Sequence, residues 1–327
     1  MDERSAAAVA VQVPHTGAAR VPSGSPDPVF ILSPPCTFSW VVCAIVGQHP
    51  EMYALPELHL FTADTIAEWW DLCSHATFEM DHGLVRAVAE LYFGGQTEAA
   101  VSRARGWLRR RSHYTTGLLL ETIAERLEPL VAVEKSPSTA HSTATLERTF
   151  GMFPNARYIH LVSHPRLYCE AVLDALGNAR RGNELPPTHW LAQLAPGPEL
   201  DPQLGWLAAN LTIAGFLARV PADRQKVVRG EDILGDGTAG LVALAAWLGV
   251  RTDPEAIEEM RHPERSAYVA PGPPSAAFGS DRFLRPGPLV RSEWSRPRCV
   301  DGPLAWRSNG RGFLPEVKRT ARELGYT

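Results

Sequence analysis

Short apolar runs recur along the chain, separated by longer stretches in which apolar residues return at every third or fourth position. Val29–Leu32, Met52–Leu55, Val131–Val133, Tyr158–Val162 and Lys226–Arg229 have the length and composition of short buried strands, with Tyr158–Val162 the clearest. The helical spacing predicts helices over Ser39–Gly47, stopped by Pro50, and over Thr65–Cys73, Leu84–Tyr92, Thr97–Arg110 and Thr116–Leu127. Further helices are predicted over Leu146–Phe150, Tyr168–Leu176, Trp206–Arg219, Leu241–Leu248 and Glu316–Leu324. Strands that alternate with helices predict an α/β fold with a parallel, doubly wound sheet, interrupted at about 64–130 by a helical insertion. The Gly/Ser/Pro cluster at 22–26 marks residues 1–27 as an expected disordered leader, leaving 28–327 as one domain. Residues 263–312, rich in Pro, Gly and Arg, are expected to follow an irregular path over a site or surface.

Composition narrows the partners. With 45% hydrophobic and 21% charged residues the chain is of ordinary globular type, and its net charge of −4 provides no field for nucleic acid or an anionic membrane. No apolar span of 18 residues occurs. Five cysteines (36, 43, 73, 169 and 299) lack ligand spacing, which points to reduced thiols in a cytoplasmic protein and to no metal. Arg109-Arg110-Arg111 ends a helix, where cations meet the negative end of its dipole.

The candidate chemistry begins at Ser33-Pro34-Pro35-Cys36-Thr37-Phe38-Ser39-Trp40. A strand, a tight loop and a helix start in that order form the scaffold of an anion cradle, since free N–H groups and the positive dipole end face the loop. This loop carries no glycine and no basic residue.

Several segments together resemble the PAPS-dependent sulfotransferases (PAPS is 3′-phosphoadenosine 5′-phosphosulfate), in particular the bacterial branch of stand-alone enzymes and polyketide-assembly-line domains. They are the stretch 29–47, Pro56-Glu57-Leu58-His59-Leu60, Glu134-Lys135-Ser136-Pro137-Ser138, Phe153 to Arg166, Arg229-Gly230-Glu231-Asp232, Gly279-Ser280-Asp281 and the segment from Leu314 to Tyr326. The resemblance implies a P-loop-like parallel sheet flanked by helices, with the insertion over the substrate side. It also implies sulfuryl transfer from PAPS to a hydroxyl of a small molecule or of an acyl chain on a carrier protein, in specialised metabolism.

The same resemblance assigns roles to residues. Glu57 and His59 fall where related enzymes keep the base; two apart in an extended segment, they point to one side. Lys135 falls where a lysine contacts the transferring group, with Ser136 and Ser138 as added donors. Cys36, Thr37, Phe38, Ser39 and Trp40 align with the 5′-phosphosulfate loop, and Ser163 and Ala171 with the arginine and serine that hold the 3′-phosphate; Arg166 is the nearest replacement cation. Glu231-Asp232 is expected to cap the next segment, and Gly279-Ser280-Asp281 to close a loop. Taken on the residues alone, Glu57 reads as a helix-capping or surface carboxylate and His59 as a packed histidine, while Lys135 is equally a solvated loop lysine and Arg166 a surface arginine. A charge-assisted hydrogen bond contributes about 1.5–3 kcal/mol, so losing two cations lowers PAPS affinity by several powers of ten unless something compensates. A sulfotransferase-fold protein that has lost PAPS and runs another acyl or cyclising reaction, or only binds, therefore stands beside the transferase.

Overall fold

The computed structural model describes residues 26–76, 78–182, 201–235, 238–279, 299–307 and 310–327. Five strands, β1 (Val29–Leu32), β2 (Met52–Ala54), β3 (Val131–Glu134), β4 (Arg157–Val162) and β5 (Gln225–Arg229), form one parallel sheet in the order β2-β3-β1-β4-β5. All five coincide with the apolar runs, to within a residue or two at their ends. The alternation along β1 explains its place at the centre. Phe30 and Leu32 face one core with Phe61, Phe153 and Tyr158, and Val29 and Ile31 face a second core on the other side of the sheet.

Helix α1 (Ser39–Gly47) is apolar all round and buried from Ser39 to Val46, because it lies under both the sheet and the chain that returns after β5. The insertion consists of α2 (Ile66–His75), α3 (His82–Phe93), α4 (Glu98–Arg109) and α5 (Thr116–Leu127). Local sequence sets these boundaries. The Thr65 hydroxyl and Glu68 carboxylate form a reciprocal capping box on α2, and Thr97 and Thr115 cap α4 and α5.

The remaining helices are α6 (Thr143–Met152), α7 (Pro165–Gly182), α8 (Gln203–Leu217), α9 (Gly230–Leu234), α10 (Thr238–Leu248), α11 (Pro254–Glu259) and α12 (Pro315–Glu323). Helix α7 starts three residues earlier than its apolar spacing predicts, because Pro165 occupies a first-turn position that needs no N–H donor. In 263–312 the described residues hold the short turns Pro263–Arg265 and Pro274–Ala276 within irregular chain, as expected. The leader expected at 1–27 lies almost wholly outside the described residues.

Candidate active site

Strand β1 has β3 on one side and β4 on the other, and the chain crosses over it between the two. The loops after β1, β3 and β4 therefore converge at the carboxyl edge of the sheet, at the reversal where open α/β sheets bind ligands. The segment after β2 joins them, since the Leu55 N–H donates to the Val133 carbonyl at 2.9 Å and steers Glu57 toward the end of β3.

Glu57, His59 and Lys135 meet there. The Lys135 ammonium donates to Glu57 Oε1, and His59 Nε2 lies 3.6 Å from Glu57 Oε2. Only 6% of the Lys135 side chain and 8% of that of His59 are exposed, against 22% for Glu57, so the carboxylate is the member that solvent or substrate reaches. Burial pushes the Glu57 carboxyl up, but the Lys135 charge and the His59 contact outweigh it and hold the group down at about 2.

His59 reaches Glu57 by a route other than the expected extended chain, because its backbone is left-handed at φ 51°. Four bonds hold it there. Its N–H donates to Ser136 Oγ at 2.9 Å, and its carbonyl accepts from Trp69 Nε1 at 3.1 Å and Thr62 Oγ1 at 2.7 Å. Its ring Nδ1 lies 2.8 Å from Ser138 Oγ. The strain of a non-glycine residue in this region, about 1–2 kcal/mol, is thus offset locally.

Glycines set the back wall. A Cβ on Gly83 would lie 1.9 Å from the Glu57 carbonyl oxygen, so α3 approaches this segment only because residue 83 has no side chain. Gly83→Ala is expected to shift the Glu57 loop and lower stability by roughly 1–3 kcal/mol, read as a drop in the urea midpoint. Gly279, at φ 88°, accepts the Glu57 N–H at 2.9 Å, so this glycine does lie against the site, while Ser280 and Asp281 fall outside the described residues.

Glu134 is the residue the sequence reading passed over. It is 1% exposed, and burial pushes its carboxyl up to about 7 against the pull of Ser136 and Lys135, with the Glu57 charge adding to the rise. Its signal was a carboxylate at the last position of a buried strand, next to a lysine. The two neighbouring carboxyls are thus driven apart, Glu57 down and Glu134 up.

The loop between β1 and α1 is built differently. Cys36, not Phe38, takes the left-handed conformation, at φ 57°, and Phe38 has an ordinary φ of −70°. The Phe38 ring packs on Gly230, where a Cβ would lie 2.5 Å from it. The Thr37 hydroxyl donates to the Pro34 carbonyl at 2.9 Å, and Trp40 is buried beside Ala44 and Tyr268. Ser39 is buried in the first turn of α1, which has no acidic residue and no side-chain cap. A small cavity between α1 and Tyr268 is lined by Trp40, Cys43, Leu55 and Lys135.

Beyond β4, Ser163 is 1% exposed and its hydroxyl has no hydrogen-bond partner among the described residues. The Arg166 guanidinium turns away to the carbonyls of Pro303 at 3.1 Å, Asp301 at 3.3 Å and Cys299 at 3.4 Å. Glu231 ties this edge together by accepting the His164 N–H at 2.8 Å and the Tyr326 hydroxyl at 2.9 Å, so it bonds across the fold, whereas Asp232 pairs with Arg229.

The model of the sulfotransferase family matches residues 28–254. The chain belongs to the sulfotransferase family. Among solved structures, the sulfotransferase domain from the curacin biosynthetic pathway matches with a TM-score of 0.72 and 22% identity, over 93% of this chain and 99% of that one. The sulfotransferase domain of the Synechococcus PCC 7002 olefin synthase matches with a TM-score of 0.67 and 24% identity, over 93% and 96%. No curated protein matches the chain. At these identities the two domains establish the shared fold.

For a sulfotransferase-family protein the implied cofactor is PAPS, and the described residues do not fit its phosphates. Loop 33–38 has no cation, its threonine hydroxyl is engaged within the loop, and Arg166 is spent on carbonyls. The N–H groups at the start of α1, which has no side-chain cap, and the Ser163 hydroxyl are neutral donors, each weaker toward phosphate than the guanidinium or ammonium they would replace. Among the described residues no group able to hold a metal occurs, and no helix is long and apolar enough to cross a membrane.

Proposed function

We propose that this sulfotransferase-family enzyme activates a hydroxyl of a small molecule, or of an acyl chain on a carrier protein, with Glu57, His59 and Lys135. The observation that carries the reading is the buried Lys135–Glu57 pair beside His59 at the sheet reversal. While Lys135 faces Glu57, the carboxylate is too weak a base to take an alcohol's proton. As a substrate oxygen gains negative charge in the transition state, it draws the Lys135 ammonium away from Glu57. Glu57, left in a desolvated site without its partner, then rises in pKa and becomes a base.

In an acyl or cyclising reaction the hydroxyl gives its proton to Glu57 and its oxygen attacks the acyl carbonyl. Lys135 meets the charge that collects on the carbonyl oxygen, and the proton passes from Glu57 to the leaving group. His59, oriented by Ser138, fixes the second carboxylate oxygen. A carrier-bound acyl substrate is supported by the neighbours' place in the curacin and olefin synthase systems.

Sulfuryl transfer from PAPS to the same hydroxyl is the second reading, favoured by family membership and by the uncapped N-terminus of α1. Thermal denaturation with millimolar PAP, the desulfonated nucleotide, separates the two. No shift is expected, and a rise in Tm of several degrees would return the chain to PAPS chemistry. Glu57→Gln is expected to lower kcat by 100-fold or more under either reading while the protein stays folded. Full activity in that variant would remove Glu57 from the mechanism.

A further inference from the structure

The hydrogen bonds around His59 have a direction, and it starts at Glu134. The Ser136 hydroxyl donates its one proton to Glu134 Oε1 and uses an oxygen lone pair to accept the His59 N–H at 2.9 Å. Glu134 and Ser136 are each 1% exposed, so water cannot take either role. Without an acceptor at Glu134 the hydroxyl rotor is free to turn, and the lone pair that receives the His59 N–H loses its fixed orientation. That bond is one of the few holding His59 at φ 51°, the backbone state that carries its ring between Glu57 and Ser138.

We propose that Glu134 is a positioning residue: through the Ser136 hydroxyl it locks the strained backbone of His59 and so fixes the imidazole against Glu57. Glu134 touches neither Glu57 nor substrate directly in this role. The inference rests on the proposed site for its relevance to catalysis, but its geometry is testable without any known substrate.

The test is NMR on the full-length protein, following the exchange rate of the His59 amide proton and the ring ¹⁵N shifts that report its tautomer. Glu134→Gln keeps a carbonyl oxygen where the hydroxyl donates, and is expected to leave both signals as in the wild type. Glu134→Asp keeps the charge but withdraws the oxygen by one methylene; it is expected to speed exchange of the His59 amide at least 10-fold and to move the ring shifts. Ser136→Ala should do the same. The double variant should be no worse than Ser136→Ala alone, because both changes cut one chain of bonds. Unchanged His59 signals in Glu134→Asp, or additive effects in the double variant, would overturn the proposal. These signals do not depend on turnover, so the site's chemistry and the positioning role fail separately.

Discussion

Lys135→Met is expected to abolish turnover and to lower stability by on the order of 3 kcal/mol at pH 7. The stability part follows from Glu57. Its carboxyl is held at about 2 in the fold, against about 4.3 in an unfolded chain, and each unit of that difference is worth about 1.4 kcal/mol. A carboxyl depressed in the folded state contributes stability above its unfolded pKa. That contribution is lost as the pH falls from about 4.3 toward 2 and Glu57 protonates. The gap between wild type and Lys135→Met should therefore be wide at pH 7, begin to close below about pH 5, and be largely gone near pH 2.

Methionine keeps the length and apolar bulk of the buried stem, so the comparison isolates the charge. Removing one member of a buried ion pair leaves the other uncompensated, which is the costly case. Urea unfolding of both proteins at pH 7, 5 and 3 measures the gap. A gap independent of pH would show that Lys135 acts through packing, and retained turnover would take it out of the mechanism.

The sheet was legible in the sequence because each strand is a compact apolar run flanked by turn chemistry, and the insertion was legible because its helices have a clean apolar spacing and α2, α4 and α5 carry Thr caps. The meeting of Glu57 with Lys135 was reached only through the family resemblance. The two are 78 residues apart, and the sheet order that joins them is not written in any local pattern. The conformation of His59 was not legible: nothing in Leu58-His59-Leu60 signals a left-handed residue, which depends on Thr62 in the turn that follows and on Ser136 and Trp69 from other elements. Glu134 was hidden for the same reason. A carboxylate at a strand end reads as exposed, and only packing on both sides of β3 shows that it is buried. At the β1–α1 loop the absence of a cation was plain in the sequence, but nothing in it marked Cys36 as the left-handed residue.

That loop supports the other large effect. The triple variant Cys36→Arg, Phe38→Gly, Ser163→Arg is expected to bind PAP at least 100-fold more tightly than the wild type. Two guanidinium–phosphate contacts contribute about 1.5–3 kcal/mol each, and about 1.4 kcal/mol is tenfold in affinity. The backbone of the loop accommodates the first two changes. Cys36 already carries a Cβ at φ 57°, so arginine adds no new backbone strain there. Glycine at Phe38 precedes the first turn of α1, where its flexibility costs only a few tenths of a kcal/mol relative to a good cap. Ser163 directly follows β4 and is 1% exposed, so an arginine there has to displace neighbouring side chains, an overpacking that costs about 1–3 kcal/mol. A further expense is the Phe38 ring, whose removal from Gly230 leaves a void, and Phe38→Gly and Ser163→Arg alone serve as the controls for the two losses. Isothermal titration with PAP reads the gain directly. A folded triple variant that still ignores millimolar PAP would mean that the obstruction lies in the shape of the cradle and not in its charge, and the case against PAPS in the natural protein would then rest on sterics.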